Sequence, residues 1–283
     1  MTRFDWTLAI KMNILTLKVV GLWPRNEGVF QFDLYTVYAL ICVFVFIDGS
    51  LLFQIAYLVF AHFDLEALVQ PIFIVWTALL GSIKVLYFIR NRTIIKQLMR
   101  ALTDDLFQPT TAEQINLVSP ALNIWRKIYG TYWFLVIVTV FLWLFYPLLD
   151  KSFHKRQLPI PAMYPYDTTE TPFYEISYLH QVIGLFLVAV AGLNVDTLMA
   201  ALMVYTGAQC DILCDNLRNL EDSSATRSEY NVMLIRCVEH HKKILSFAEN
   251  TNEFFSGIVL GQFFTTSVTV GLAMFRLSLV SLR

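Results

Sequence analysis

LYTVYALICVFVFIDGSLLFQIAYLVF, residues 34–60, carries a single charged side chain, Asp48, near its middle. A bilayer's hydrocarbon core is about 30 Å thick and takes about 20 apolar residues to cross as a helix. This run is long enough, and nothing in it breaks a helix. Four more runs have the same character, at about 65–89, 128–149, 181–205 and 254–279. The whole chain is 57% apolar and 15% charged, with mean hydropathy +0.57, whereas soluble domains carry roughly 25% charged residues. In lipid every backbone N–H and C=O must find a partner within its own segment or a closed barrel. Runs this long and this evenly apolar therefore predict helices. The fold class is all-α: a polytopic bundle of five transmembrane helices, with residues 1–283 forming a single membrane domain. A net charge of −1 without a basic patch argues against a nucleic-acid partner.

Charge asymmetry orients the bundle. Of 21 Lys and Arg, Lys84 lies within a span and Arg276 close to the outer end of the fifth. With the N-terminus in the cytoplasm, Lys151, Lys155, Arg156, Arg276 and Arg283 lie outside and the other fifteen inside, the bias that membrane proteins show. The predicted N-terminus is cytoplasmic. Asn91-Arg92-Thr93 has the form of a glycosylation site, but its inner position predicts that it stays unmodified.

The connections have their own character. Residues 1–25 interleave Trp6, Ile10, Leu15 and Leu17 with Lys11, Asn13 and Lys18. That pattern predicts an interfacial helix lying on the bilayer, ended by GLWP at 21–24. Residues 158–181, LPIPAMYPYDTTETPFYEISYLHQ, contain Pro159, Pro161, Pro165 and Pro172 among five aromatic side chains. Each proline removes a backbone donor and disfavours helix just before it, so this stretch reads as a stiff aromatic loop covering the outer side. The helical pattern of the fourth span continues past Gln209 into solution. Residues 230–253 read as an exposed helix with a stripe of Leu234, Val238, His241, Leu245 and Ala248, running unbroken into the fifth span.

Three intramembrane charges, Asp48, Lys84 and Asp196, are costly enough to need an explanation, at about 2.5–3.5 kcal/mol each near a helix centre. By helical rise, Lys84 and Asp196 both sit about 8 Å from the inner face, so a pair between them is feasible. Snorkelling of Lys84 to the headgroups is the alternative. Gly257 and Gly261 have the spacing that lets two helices approach closely. Cys210 and Cys214 are one turn apart but have no third ligand nearby, and His240 and His241 sit on a helix read as solvated, so neither a metal nor any cofactor is expected. No nucleophile–base set, Gly-rich phosphate loop or HExxH occurs, which argues against an enzyme.

LKVVGLWP (17–24), the aromatic loop at 158–181, EHHKKILSFAENTNEFFS (239–256) and GQFFTTSVTVGLAMF (261–275) follow one another in an order that resembles the insect odorant receptor family. The inward N-terminus fits as well. The resemblance implies a subunit of an odorant-gated cation channel in the plasma membrane of a sensory dendrite. Members have seven membrane helices and form tetramers with a shared co-receptor subunit, with the odorant among the outer halves of helices two, three, four and six. Five spans are present here, so a form truncated after the fifth span is expected, which would not conduct alone. Alternatives are an isoform that modulates receptor assembly, a gustatory-type receptor, or a transporter.

On this reading the partners are a small-molecule odorant, the co-receptor subunit in a heterotetramer, and membrane lipid. Outer-half residues sharing a helix face give the expected ligand-binding set. They are Phe73, Trp76 and Leu80 on span two, Thr139, Trp143 and Tyr146 on span three, and Ile183, Phe186 and Val190 on span four. An apolar volatile would meet mainly dispersion and aromatic contacts there, with Thr139 and Tyr146 as sources of hydrogen bonds.

Overall fold

The computed structural model describes residues 4–23, 33–60, 65–149, 156–221 and 226–281, and every regular element among them is helical. Five of the helices are long and apolar enough to cross a membrane. Asp5 caps a short turn, Trp6–Ala9, by accepting from the Thr7 N–H at 2.9 Å. Helix α1 (Lys11–Val20) follows and stops at Gly21, whose φ of +85° suits only glycine. Leu22 N and Trp23 N then fold back onto Leu17 O at 2.8 and 3.1 Å, satisfying carbonyls that the helix end leaves open. A Cβ on Gly21 would stand 2.6 Å from Ala39 Cα, so the chain crosses the first span backbone to backbone.

The first span is α2 (Leu34–Leu40), a π-helical stretch (Ile41–Asp48) and α3 (Gly49–Phe60). Then come α4 (Leu65–Arg90), α5 (Arg92–Leu102), α6 (Ala112–Leu149), α7 (Phe173–Glu221) and α8 (Arg227–Ser281). The five expected spans lie within the first span and helices α4, α6, α7 and α8. One boundary moves. The fourth helix begins at Phe173, while the sequence reading kept loop as far as Gln181. Pro172 is the last proline, so no backbone donor is missing beyond it, and Tyr174 N and Ile176 N already bond Glu170 O and Pro172 O at 2.9 and 3.1 Å.

The chain divides into two compact units. The first comprises Met1–Ile14, Arg90–Tyr132 and Val195–Gly257, including most of the segments that charge counting puts inside. Its core gathers Trp6, Phe107, Tyr205, Phe247 and Phe254, all almost fully buried. Trp6 Nε1 donates to Phe107 O at 3.1 Å, Tyr205 Oη donates to Trp6 O at 2.6 Å, and Asn13 Nδ2 donates to Thr197 Oγ1 at 2.7 Å. The N-terminal segment is thus packed on its Trp6, Ile10, Asn13 and Leu17 face. Leu8, Met12, Leu15 and Val19 form a second apolar stripe that stays exposed.

The buried stripe of α8 differs from the one read in the sequence. Cys237, His240, Ile244, Phe247 and Thr251 face inward, whereas Leu234, Val238, His241 and Leu245 are exposed. The true stripe is one position, about 100°, away. His240, read as solvated, is buried: His240 and Gln209 Oε1 meet at 2.9 Å, and the imidazole lies beside the Phe107 ring. Both stripes are apolar enough to serve. The histidine decides between them because Gln209 supplies the partner that burial of a polar ring requires.

Candidate ligand-binding region

The second unit comprises Leu15–Ile89, Trp133–Asn194 and Ile258–Arg283, and holds the whole of spans one and two. Spans one, two and four meet closely within it. A Cβ on Gly184 would be 2.6 Å from Phe46 O, and one on Gly81 would be 2.7 Å from Val188 Cγ1. Ser82 Oγ donates to Asp48 Oδ1 at this level, and Ser50 and Lys84 are buried in the same unit. Asp48 is therefore held by a hydroxyl from span two. Asp196 belongs to the first unit.

The π stretch of span one has a local consequence. Gly49 N bonds Phe44 O, five residues back, whereas α3 returns to four-back bonding. Such a change of register passes over one carbonyl. Val45 O, at that position, meets His180 Nε2 at 3.0 Å. A carbonyl only accepts, so Nε2 carries the hydrogen and Nδ1 is left to accept from Tyr164 Oη, 2.9 Å away. Tyr164 lies in the aromatic loop, and burial pushes its phenol pKa up, so it remains a donor.

Further bonds hold the loop to its surroundings. Gln181 brackets Ile160, accepting from its N at 3.0 Å and donating to its O at 2.9 Å. Met163 N donates to Phe53 O at 2.9 Å, and the Phe53 and Tyr164 rings lie 4.4 Å apart. Ser177 Oγ bonds Tyr166 Oη at 3.0 Å, and Tyr178 Oη donates to Leu144 O at 2.7 Å. A carbonyl of span one and side chains in the first turns of α7 hold this segment, and Tyr178 ties those turns to span three. The loop is a stapled element.

The nine residues expected to bind ligand are all in this unit. Trp76 stacks obliquely near Phe264, ring centroids 5.9 Å apart, and Leu80 Cδ1 lies 3.6 Å from where a Gly261 Cβ would stand. The span-two face therefore meets span five, and Gly261 serves packing within the chain. Phe73, Trp143 and Phe186 are 37%, 39% and 42% exposed. Ile183 is half-buried and Val190 buried. Thr139 Oγ1 donates to Leu135 O at 2.8 Å, so its hydrogen is already used. Tyr146 has a side chain outside the described residues. The sequence reading missed Ser82 and His180. A histidine in an outer helical turn four residues before a glycine was the available signal for the second.

The first unit contains a separate cleft of about 250 Å³, lined by Gln108, Thr110, Gln114, Asn216, Arg236 and His240 among others. Those polar side chains mix there with Leu106, Leu220, Met233 and Cys237. Among the described residues no group of three or more His, Cys, Asp or Glu is placed to hold a metal.

These features define a class: a multi-pass helical membrane protein whose proline-rich loop is bonded onto the ends of its helices. The model of the 7tm Odorant receptor family matches residues 64–282. The chain belongs to that family. It is 25% identical over 283 residues to odorant receptor Or1 of Anopheles gambiae, a match covering 89% of this chain and 66% of that protein. It is 23% identical over 235 residues to odorant receptor 82a of Drosophila melanogaster, covering 79% and 61%. The chain thus spans about two thirds of the length of these curated relatives. Among solved structures, the insect olfactory receptor OR5 from Machilis hrabei in complex with eugenol matches with a TM-score of 0.77 and 16% identity, over 95% of this chain and 71% of that one. The same receptor in a second structure gives a TM-score of 0.71. The likeness to OR5 establishes the shared fold.

Proposed function

We propose that this chain is an odorant receptor subunit. It binds small, volatile, largely apolar molecules in the outer half of its bundle and contributes to a ligand-gated cation channel. The observation that carries this reading is the family match across residues 64–282. Its relatives are named odorant receptors, and the solved receptor of the same fold holds eugenol. The geometry agrees: exposed and half-buried aromatic rings in the second unit offer contact area for an apolar guest, and the outer loop is tied down next to them. A co-receptor subunit completes the channel, and the assembly sits in the plasma membrane of a sensory dendrite.

The test is co-expression of this chain with a co-receptor subunit, recording currents evoked by a panel of volatiles beside surface labelling. Odorant-evoked current above that of the co-receptor alone supports the reading. Trp143→Ala is expected to reduce the response more than it reduces surface expression. Equal loss of both would mean that Trp143 serves packing.

A further inference from the structure

Among the described residues, Trp76 Nε1 is a buried donor with no hydrogen-bond partner. In water-poor surroundings an unsatisfied N–H is costly, and a native structure that keeps one calls for an explanation. Lipid chains offer no acceptor. Counted from Pro71, the indole lies about 8 Å along α4 at 1.5 Å per residue, in the part of the span assigned to the outer half. It belongs to the face shared with Phe73 and Leu80 and turned toward Phe264 of α8.

The other described members of the candidate set do not offer a comparable donor. Thr139 has given its hydrogen to Leu135 O, and Trp143 is 39% exposed. Phe73, Leu80, Ile183, Phe186 and Val190 have no polar atoms in their side chains. Phe264 is 59% exposed, so its ring is not enclosed in a packed core.

We infer that Trp76 Nε1–H is the hydrogen-bond donor of the odorant site, and that it selects volatiles carrying an oxygen acceptor, above all ketones and aldehydes, over hydrocarbons of the same shape. This rests on the odorant-binding reading. The ligand would place its apolar body against Phe73, Leu80 and Phe264 and its carbonyl oxygen on the indole N–H. Binding would satisfy a group that the empty protein leaves without a partner. That is why a single acceptor should discriminate strongly: its absence leaves the donor buried and unpaired.

The experiment measures binding to the chain in lipid nanodiscs with shape-matched pairs, acetophenone against isopropylbenzene and cyclohexanone against methylcyclohexane. Trp76→Phe keeps an aromatic ring, though a smaller one, and removes the donor, so the readout is the ratio of ketone to hydrocarbon affinity. Wild type is expected to prefer the ketone of a pair by about 3- to 10-fold, the range a single net hydrogen bond gives. In Trp76→Phe the preference within each pair should vanish. Equal weakening of ketone and hydrocarbon would overturn the donor role and leave a purely steric one. A ketone preference that survives Trp76→Phe would place the donor elsewhere and also overturn it. Saturable binding of none of the four probes would overturn the inference, and evoked current with a wider panel then decides whether its odorant-binding premise falls with it.

Discussion

His180 shows how much one polar side chain can organise in an apolar setting. It takes the Val45 carbonyl on one nitrogen and Tyr164 on the other, so span one, span four and the loop share a single ring. Tyr164→Phe removes one bond and should cost about 1 kcal/mol, while His180→Ala also strands the Val45 carbonyl and should cost about 1–3 kcal/mol more. Thermal unfolding of the two single variants and the double variant in detergent checks this. The double variant should be much less destabilised than the sum, because both singles break the same bond. His240 makes a different prediction. Burial, then the nearby Arg236, holds its pKa down to about 4, against an ordinary 6.5. The unfolded chain therefore takes up a proton first as pH falls. Stability is full above about pH 6.5 and declines toward pH 4. His240→Asn should flatten that decline when unfolding midpoints are compared across the same range.

At the level of elements, close approach is set by glycines and by a break in helical register. Gly184→Ala would push a methyl to within 2.6 Å of Phe46 O, a backbone atom that cannot step aside. Spans one and four would have to separate, and a loss of about 1–3 kcal/mol is expected from overpacking of this kind. Gly192→Ala, four helical positions along from Val188 on the same helix, meets nothing within 4 Å and serves as the control. Unfolding midpoints of the two variants test this, and equal midpoints would contradict it. The spans themselves were legible in the sequence, because runs of apolar residues of bilayer length have no other stable form in lipid. Helix starts governed by proline were legible only to within two turns: FYEISYLHQ reads as loop by its company and as helix by its own backbone. The π stretch was not legible at all, since ICVFVFID has nothing in its composition that separates five-back from four-back bonding. Nor was the buried stripe of α8, where Leu234, Val238 and Leu245 compete with Cys237, Ile244 and Phe247 on equal apolar terms. Gln209, distant in sequence, decides it.

Across the whole molecule, the family assignment and the chemistry of the second unit point the same way. The candidate residues named from helix faces all fall in that unit, although sequence periodicity alone does not tell which neighbour each face meets. The candidate face of span two meets span five at Trp76 and Leu80. Helix pairing in lipid turns on particular glycines and polar contacts, and a single sequence does not say which helix supplies the partner. Orientation is a further whole-molecule property, resting on Lys and Arg counts. Cysteine labelling from outside intact cells should modify a probe placed in the loop at Thr168, and should leave one placed at Lys96 unmodified. If this chain binds volatile ligands at a defined site, equilibrium binding in lipid nanodiscs shows it. Saturable uptake of at least one volatile is expected, weakened by Trp143→Ala without a lowered unfolding midpoint. Uptake that rises linearly with concentration and equals that of empty nanodiscs for every volatile tried would contradict it.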